Sequence, residues 1–169
     1  LGITRNHYVG RTFIEPTQTI RQLGIKLKHN ANPINIKNKK IVLIDDSIVR
    51  GTTAVKIVQM IRDAGASEVH MGISSPPILF PDFYGIDTPS LAELIAANNS
   101  IEEMRKTINL DTLYFLSIEG LYQAMGHKKR NDENPQYTDH CFTGDYPTNL
   151  KDRDGGSLSK QLSFLHEKL

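Results

Sequence analysis

The sequence predicts an α/β fold built on a parallel sheet, and three neighbouring features predict it. The run Ile41-Val42-Leu43-Ile44 is short, apolar and rich in β-branched residues, and it ends abruptly in Asp45-Asp46-Ser47. Apolar residues at Val55, Ile57, Val58 and Ile61 then follow helical spacing. A second strand-like stretch, residues 68–74, comes directly after Gly65. Strand, helix and strand in that order form a βαβ unit whose crossover is expected to be right-handed.

Taken along the chain, residues 16–28 mix weak helix and weak strand signals, and read as a helical turn from Pro16 followed by an extended stretch. The run 41–44 is unbroken in its apolarity, which predicts a strand buried on both faces, with Asp45 and Asp46 at its C-terminal end. For the helix that follows, Thr52 or Thr53 serves as N-cap and Gly65 ends it. Residues 75–85 hold three prolines and three aromatics and read as a loop that is neither helical nor flexible. Residues 90–98 and 100–108 read as capped helices, the second with Ser100 and Glu103 as a capping box. Residues 113–116 form a last strand and 118–125 a last helix. Composition shifts at Gly126: residues 127–135 are almost wholly polar or charged, and apolar periodicity stays poor up to Ser157. Residues 1–126 are therefore expected to form the folded domain and 127–169 an irregular or mobile tail, with a short helix over 158–165.

Length and charge bound the function. With 169 residues, the chain is long enough for one domain with a real core. Its 20 Lys plus Arg against 19 Asp plus Glu leave a net charge of +1, so charge supplies no argument for nucleic acid or an anionic membrane as partner. The basic stretch His127 to Arg130 is followed by the acids Asp132 and Glu133 and reads as a solvated linker. No apolar run approaches the roughly 18 to 20 residues that span a bilayer. One cysteine builds neither an internal disulfide nor a cysteine-rich metal site, and a cytoplasmic location is the simplest expectation. His7, His70, His127, His140 and His166 show no metal-ligand spacing.

The chemistry concentrates at residues 41–53. A strand that empties into a turn of small residues at a helix N-terminus leaves backbone N–H groups pointing outward, and the helix dipole favours negative charge there. Ser47, Thr52 and Thr53 add hydroxyl donors. Two adjacent carboxylates would repel a phosphate unless they meet something else, such as sugar hydroxyls or a divalent cation. A phosphosugar satisfies both halves of the motif.

The stretch of four apolar residues, two acids, a small-residue turn and Gly51-Thr52-Thr53 resembles the phosphoribosyl pyrophosphate (PRPP) motif of type I phosphoribosyltransferases. The flanks, Asn6-His7-Tyr8-Val9-Gly10-Arg11-Thr12-Phe13-Ile14-Glu15-Pro16-Thr17-Gln18 and Tyr84-Gly85-Ile86-Asp87-Thr88-Pro89, are similar to those of the glutamine-dependent amidophosphoribosyltransferase family. The likeness covers residues 1–126 and continues more weakly through 141–147. It implies the type I phosphoribosyltransferase fold, a parallel sheet flanked by helices. It also implies transfer of the phosphoribosyl group to glutamine-derived ammonia, giving 5-phosphoribosylamine and pyrophosphate at the start of purine synthesis.

The resemblance assigns roles. Asp45 and Asp46 match the family's ribose-binding, magnesium-associated acids, and Ser47, Ile48, Val49, Arg50, Gly51, Thr52 and Thr53 match its 5′-phosphate loop. Arg5 and Arg11 match basic positions of a loop, residues 5–18, that closes over PRPP. Arg11 is the expected pyrophosphate contact, and Phe13 and Ile14 line the ammonia route. Arg50 reads equally well as a surface charge and as a phosphate or oligomer contact. The full-length protein is expected to be a homo-oligomer, with purine nucleotides as possible inhibitors. The chain opens on Leu1 rather than Met and is expected to be a piece of a longer protein, without the glutaminase domain, the first transferase strand, the pyrophosphate loop or a family Ser that helps hold magnesium. Some members hold a [4Fe-4S] cluster on four cysteines; two of those positions are Asp82 and Thr138 here, Cys141 remains as a packed thiol, and no iron-sulfur cluster is expected. Pro76, Pro77, Phe83 and Tyr84 read as scaffold of the hood over the site. A base-salvage transferase and a non-catalytic PRPP-sensing regulator are the competing readings; no helix-turn-helix signal supports the second.

Overall fold

The computed structural model describes residues 2–5, 29–86, 88–148 and 150. β1 (Ile3–Arg5) and β2 (His29–Ala31) pair antiparallel, with Ile3 opposite Ala31 and Arg5 opposite His29. A single turn of helix, α1 (Pro33–Ile36), follows; Asn32 caps it by accepting the Ile34 N–H at 3.1 Å, and Pro33 at its start forgoes no hydrogen bond. Ile36 is buried and carries this turn into the main core.

The main sheet has the order β3 (Lys40–Asp45), β4 (Glu68–Ile73) and β5 (Thr112–Phe115), all parallel. Asp45 lies opposite Ile73, and Ile73 opposite Phe115, so the strand ends that face the loops are level. α2 (Thr52–Asp63) joins β3 to β4. On the way to β5 the chain makes a 3-10 turn at Leu91–Glu93, a short α3 (Ile95–Asn98) and α4 (Ile101–Ile108). Val58 and Ile61 of α2, Met104 and Ile108 of α4, Val69, Met71 and Ile73 of β4, and Leu113 of β5 close one core. Burying such side chains contributes about 1.5 to 3 kcal/mol each, which is why α2 and α4 are held flat on the sheet.

Among the described residues, helices cover one face of this sheet. Val42, Ile44 and Tyr114 on the other are 67%, 73% and 70% exposed, which corrects the expectation of a strand buried on both faces. The cause is topological. Strands added successively in one direction through crossovers of one hand place both helices on the same side. Ile41 and Leu43 meet the core while their neighbours face outward.

Two helix starts also differ from the expectation. α2 is capped by Gly51 rather than Thr52 or Thr53; Gly51 has φ 75° and ψ −11° and no side chain caps the first turn. The expected helix over 90–98 is broken at Leu94, whose extended backbone (φ −74°, ψ 112°) goes with a fully buried side chain. α4 begins as the sequence predicts: Ser100 Oγ accepts the Glu103 N–H at 3.3 Å, and the Glu103 carboxylate accepts the Ser100 N–H at 2.8 Å.

After α5 (Ile118–Ala124), capped by Ser117, the described residues are irregular except for one turn, α6 (His140–Thr143). Irregular does not mean loose here. Asp139 and His140 are buried, and Leu79 and Phe80 both donate to the Cys141 carbonyl, at 2.9 and 3.0 Å. Of the two expectations for this stretch, irregular or mobile, residues 127–148 meet the first, and they are tied to the 76–86 loop. The expected turn from Pro16 and the helix over 158–165 lie outside the described residues.

Candidate phosphosugar site

The site forms where β3 runs into α2. Because Gly51 is left-handed, the chain turns sharply enough for Thr52 to begin the helix at once. The first intrahelical bond, Val55 N–H to the Gly51 carbonyl at 3.0 Å, leaves the preceding amides over. Among the described residues, no acceptor meets the backbone N–H groups of residues 47–54. Such a row of donors at the N-terminus of a three-turn helix is an anion cradle. Thr52 and Thr53 are exposed beside it, whereas the Ile48 side chain is buried in the core, so Ile48 offers a ligand only its backbone.

The two acids sit at the opposite lip. Asp45 is half-buried, and its Oδ1 accepts the Asp46 N–H at 3.0 Å. Its carbonyl receives both the N–H and the hydroxyl of Ser74, at 3.0 and 3.1 Å, which anchors the strand end to β4. Burial pushes the Asp45 carboxyl above its ordinary range; the Asp46 N–H opposes the shift, and the charge of Asp46 adds to it. A cation or a set of hydroxyl donors would relieve that cost. Asp46 is exposed, with Ser47 Oγ 3.4 Å from its Oδ1.

A second segment grips the loop from outside. Ile95 N–H donates to the Val49 carbonyl at 2.9 Å, Arg50 Nε donates to Glu93 Oε1 at 3.0 Å, and a Cβ on Gly51 would stand 2.7 Å from Ile95 Cδ1. Arg50, open in the sequence between surface charge and ligand contact, thus has a carboxylate partner.

Of the other predicted residues, Arg5 ends β1, opposite His29. His29 was not foreseen. Its charge favours the ionised form of Asp45, so the β1–β2 pair stands beside the acids. That proximity arises only in the fold, and no local pattern around His29 announces it. Arg11, Phe13, Ile14 and Asp87 lie outside the described residues, as do His7 and His166. Among the described residues no group of three or more His, Cys, Asp and Glu is arranged to hold a metal ion, and no helix is long and apolar enough to cross a membrane.

Beyond the loop, Asp82 accepts the N–H groups of Tyr84 and Ile86 at 2.8 and 2.9 Å and lies 2.7 Å from His140 Nε2. Phe83 and Tyr84 are about half exposed and pack against Tyr146. Burial pushes the half-buried Cys141 thiol up, the behaviour of a packed thiol rather than a reactive one.

No family model matches the chain. It is 62% identical over 165 residues to the amidophosphoribosyltransferase of Rhizobium etli, an alignment that covers 97% of this chain and 33% of that protein. Against the Bacillus subtilis amidophosphoribosyltransferase the identity is 53% over 150 residues, 89% of this chain and 31% of that protein. Against that of Archaeoglobus fulgidus it is 48%, covering 88% and 32%. The chain thus spans about one third of the length of the curated relatives it matches. Its fold superposes on the solved glutamine PRPP amidotransferase from B. subtilis complexed with ADP and GMP with a TM-score of 0.75 at 51% identity, covering 92% of this chain and 34% of that one.

Proposed function

The chain belongs to the amidophosphoribosyltransferase family, and we propose that the protein it comes from transfers the phosphoribosyl group of PRPP to ammonia, releasing pyrophosphate and forming 5-phosphoribosylamine. One observation carries the reading: a row of backbone N–H groups over residues 47–54, without an acceptor among the described residues, stands directly after the paired acids Asp45 and Asp46. The loop amides and the Thr52 and Thr53 hydroxyls take the 5′-phosphate, and the acids take the ribose hydroxyls. With both ends of the sugar held, the anomeric carbon is fixed against the incoming nucleophile.

The transition state resembles an oxocarbenium ion, so the protein has little covalent work to do and must stabilise the departing pyrophosphate. Arg5 and Arg11 are proposed for that charge, Phe13 and Ile14 for the ammonia route, with closure of residues 5–18 keeping water from the activated sugar. Magnesium fits the donor set, because it commonly binds through one or two carboxylates and completes its shell with substrate oxygens and water. Asp45 and Asp46 would hold it, and it would neutralise charge on the pyrophosphate. A four-cysteine cluster does not fit: the sequence has one cysteine, and the Asp82 carboxylate is taken up by two backbone amides and His140.

Purine nucleotides carry the same 5′-phosphate and ribose hydroxyls, and the B. subtilis relative was complexed with ADP and GMP, which supports inhibition through the same loop. Glutamine as ammonia source and assembly into a homo-oligomer belong to the same proposal for the whole protein. The test is pyrophosphate release by the intact protein with PRPP, magnesium and ammonium. Ammonium-dependent release that Asp45→Asn and Asp46→Asn each abolish is expected. Release that depends on a free purine or pyrimidine base and ignores ammonium would assign a salvage transferase instead.

A further inference from the structure

We propose that Glu93 is a positioning residue for phosphate recognition, acting through Arg50; the proposal rests on the PRPP reading above and extends it outside the motif. Glu93 lies 43 positions from Arg50 in sequence, on the 3-10 turn at Leu91–Glu93. Arg50 Nε donates to its Oε1 at 3.0 Å, and Ser90 Oγ donates to its Oε2 at 3.3 Å, so the carboxylate is held from both oxygens. Arg50 also holds the Glu93 carboxyl below its ordinary range.

Three features show that this turn serves the loop. Its grip falls on consecutive loop residues: Val49 by the Ile95 N–H, Arg50 by Glu93, and Gly51 by the close approach of Ile95. The helix over 90–98 is interrupted at Leu94, and it is there that Ile95 turns its N–H to Val49 instead of to its own helix. Glu93 occupies only Nε of the guanidinium, and neither terminal nitrogen has a partner among the described residues. The outer edge of the fork therefore remains for a phosphate oxygen pair, the geometry that arginine supplies and lysine does not.

Stability does not explain the pair. Both side chains are about half exposed, at 50% and 51%, and exposed ion pairs contribute little to folding. Pre-orienting a long cation beside an anion cradle is a ligand-binding role.

The experiment uses the intact protein with PRPP, magnesium and ammonium, comparing Glu93→Ala, Glu93→Gln, Arg50→Ala and the Arg50→Ala/Glu93→Ala pair. Glu93→Ala is expected to raise KM for PRPP about tenfold, the worth of one charge-assisted hydrogen bond, with kcat little moved. Glu93→Gln should recover most of the loss, because its amide oxygen still accepts the Arg50 Nε–H. On the Arg50→Ala background, Glu93→Ala should change KM less than about twofold, as coupled residues do. Far-UV circular dichroism and thermal midpoints near wild type keep a folding defect from passing for the effect. An unchanged or lowered KM in Glu93→Ala, or a full tenfold loss on the Arg50→Ala background, overturns the role of Glu93 alone. Wild-type protein that neither binds nor consumes PRPP overturns the functional reading and this inference with it.

Discussion

Arg130 grips Asp139 with two nitrogens, Nε to Oδ2 at 2.7 Å and Nη2 to Oδ1 at 3.1 Å, and the pair is nearly out of solvent, at 12% and 4% side-chain exposure. The same guanidinium reaches Asp132 at 2.9 Å and Asp145 at 2.6 Å, while Tyr122 donates to Asp139 at 2.8 Å. One arginine thus joins α5, the polar stretch after it and the turn beyond α6. The Asp139 carboxyl is pushed up by burial and pulled further down by Arg130, Tyr122 and Thr143, ending below its ordinary range.

Removing Arg130 should therefore cost more than a surface ion pair does. Arg130→Ala leaves Asp139 buried with only hydroxyl donors, and a loss of about 3 kcal/mol in urea unfolding is expected. Arg130→Lys keeps the charge but not the fork and should fall between the two. Limited proteolysis should cut Arg130→Ala between residues 127 and 139 before it cuts the wild type. A loss below about 0.5 kcal/mol would place these contacts with solvated surface pairs.

Asp82 and His140 set an acid limit on the same region. Burial raises the Asp82 carboxyl, but the Ile86 and Tyr84 amides and His140 outweigh it, so the folded value lies below the ordinary one. A depressed carboxylate contributes its full stability above the unfolded value, about 3.9, and loses it as pH falls through the folded value. Urea midpoints should be flat from pH 7 to about 5 and fall steeply below about 4. Asp82→Asn should be less stable at pH 7 and show a shallower acid decline. An identical acid slope in wild type and variant would remove Asp82 from the cause.

What could be seen in the sequence was what is local. The strand with its terminal acids, the helix directly after Gly51 and the capping box of α4 each depend on residues within a few positions, and each is present where expected, although Gly51 rather than Thr52 or Thr53 caps that helix. What was missed depends on distant partners. The break at Leu94 reflects an amide given to Val49, and the order of residues 127–148 comes from Arg130 meeting acids 9 and 15 positions away and from Asp82 meeting His140 across 58. A polar stretch reads as mobile when its charges are assumed to face water; here they face each other. The open face of the sheet was hidden for another reason, since apolarity shows what a strand tolerates and not which side the helices take.

The contrast between Ser100 and Ser90 tests the helix starts directly. Ser100 Oγ accepts an orphan amide of α4, so Ser100→Ala should cost about 1 kcal/mol in thermal unfolding. Ser90 looks the same in sequence but caps no amide; its hydroxyl donates to the Glu93 carboxylate instead. Ser90→Ala should stay within about 0.5 kcal/mol of wild type. Equal losses would mean that residues 90–98 form the continuous capped helix expected from sequence.

Gly51 is where backbone conformation, packing and the proposed ligand meet. At φ 75° an alanine pays about 1 to 2 kcal/mol for its Cβ, and that Cβ would also stand 2.7 Å from Ile95 Cδ1. The two costs separate experimentally. Gly51→Ala should lower the thermal midpoint and weaken PRPP binding at least about tenfold, because the amides of residues 47–54 lose their common focus when the turn opens. Adding Ile95→Val removes the Cδ1 methyl and should return part of the stability while leaving most of the binding loss, since relieving the contact does not restore the left-handed turn. Isothermal titration with PRPP and magnesium measures the second quantity. Full recovery of binding in the double variant would assign the loss to the Ile95 contact, and unaltered binding in Gly51→Ala itself would show that the phosphate is held elsewhere than in this loop.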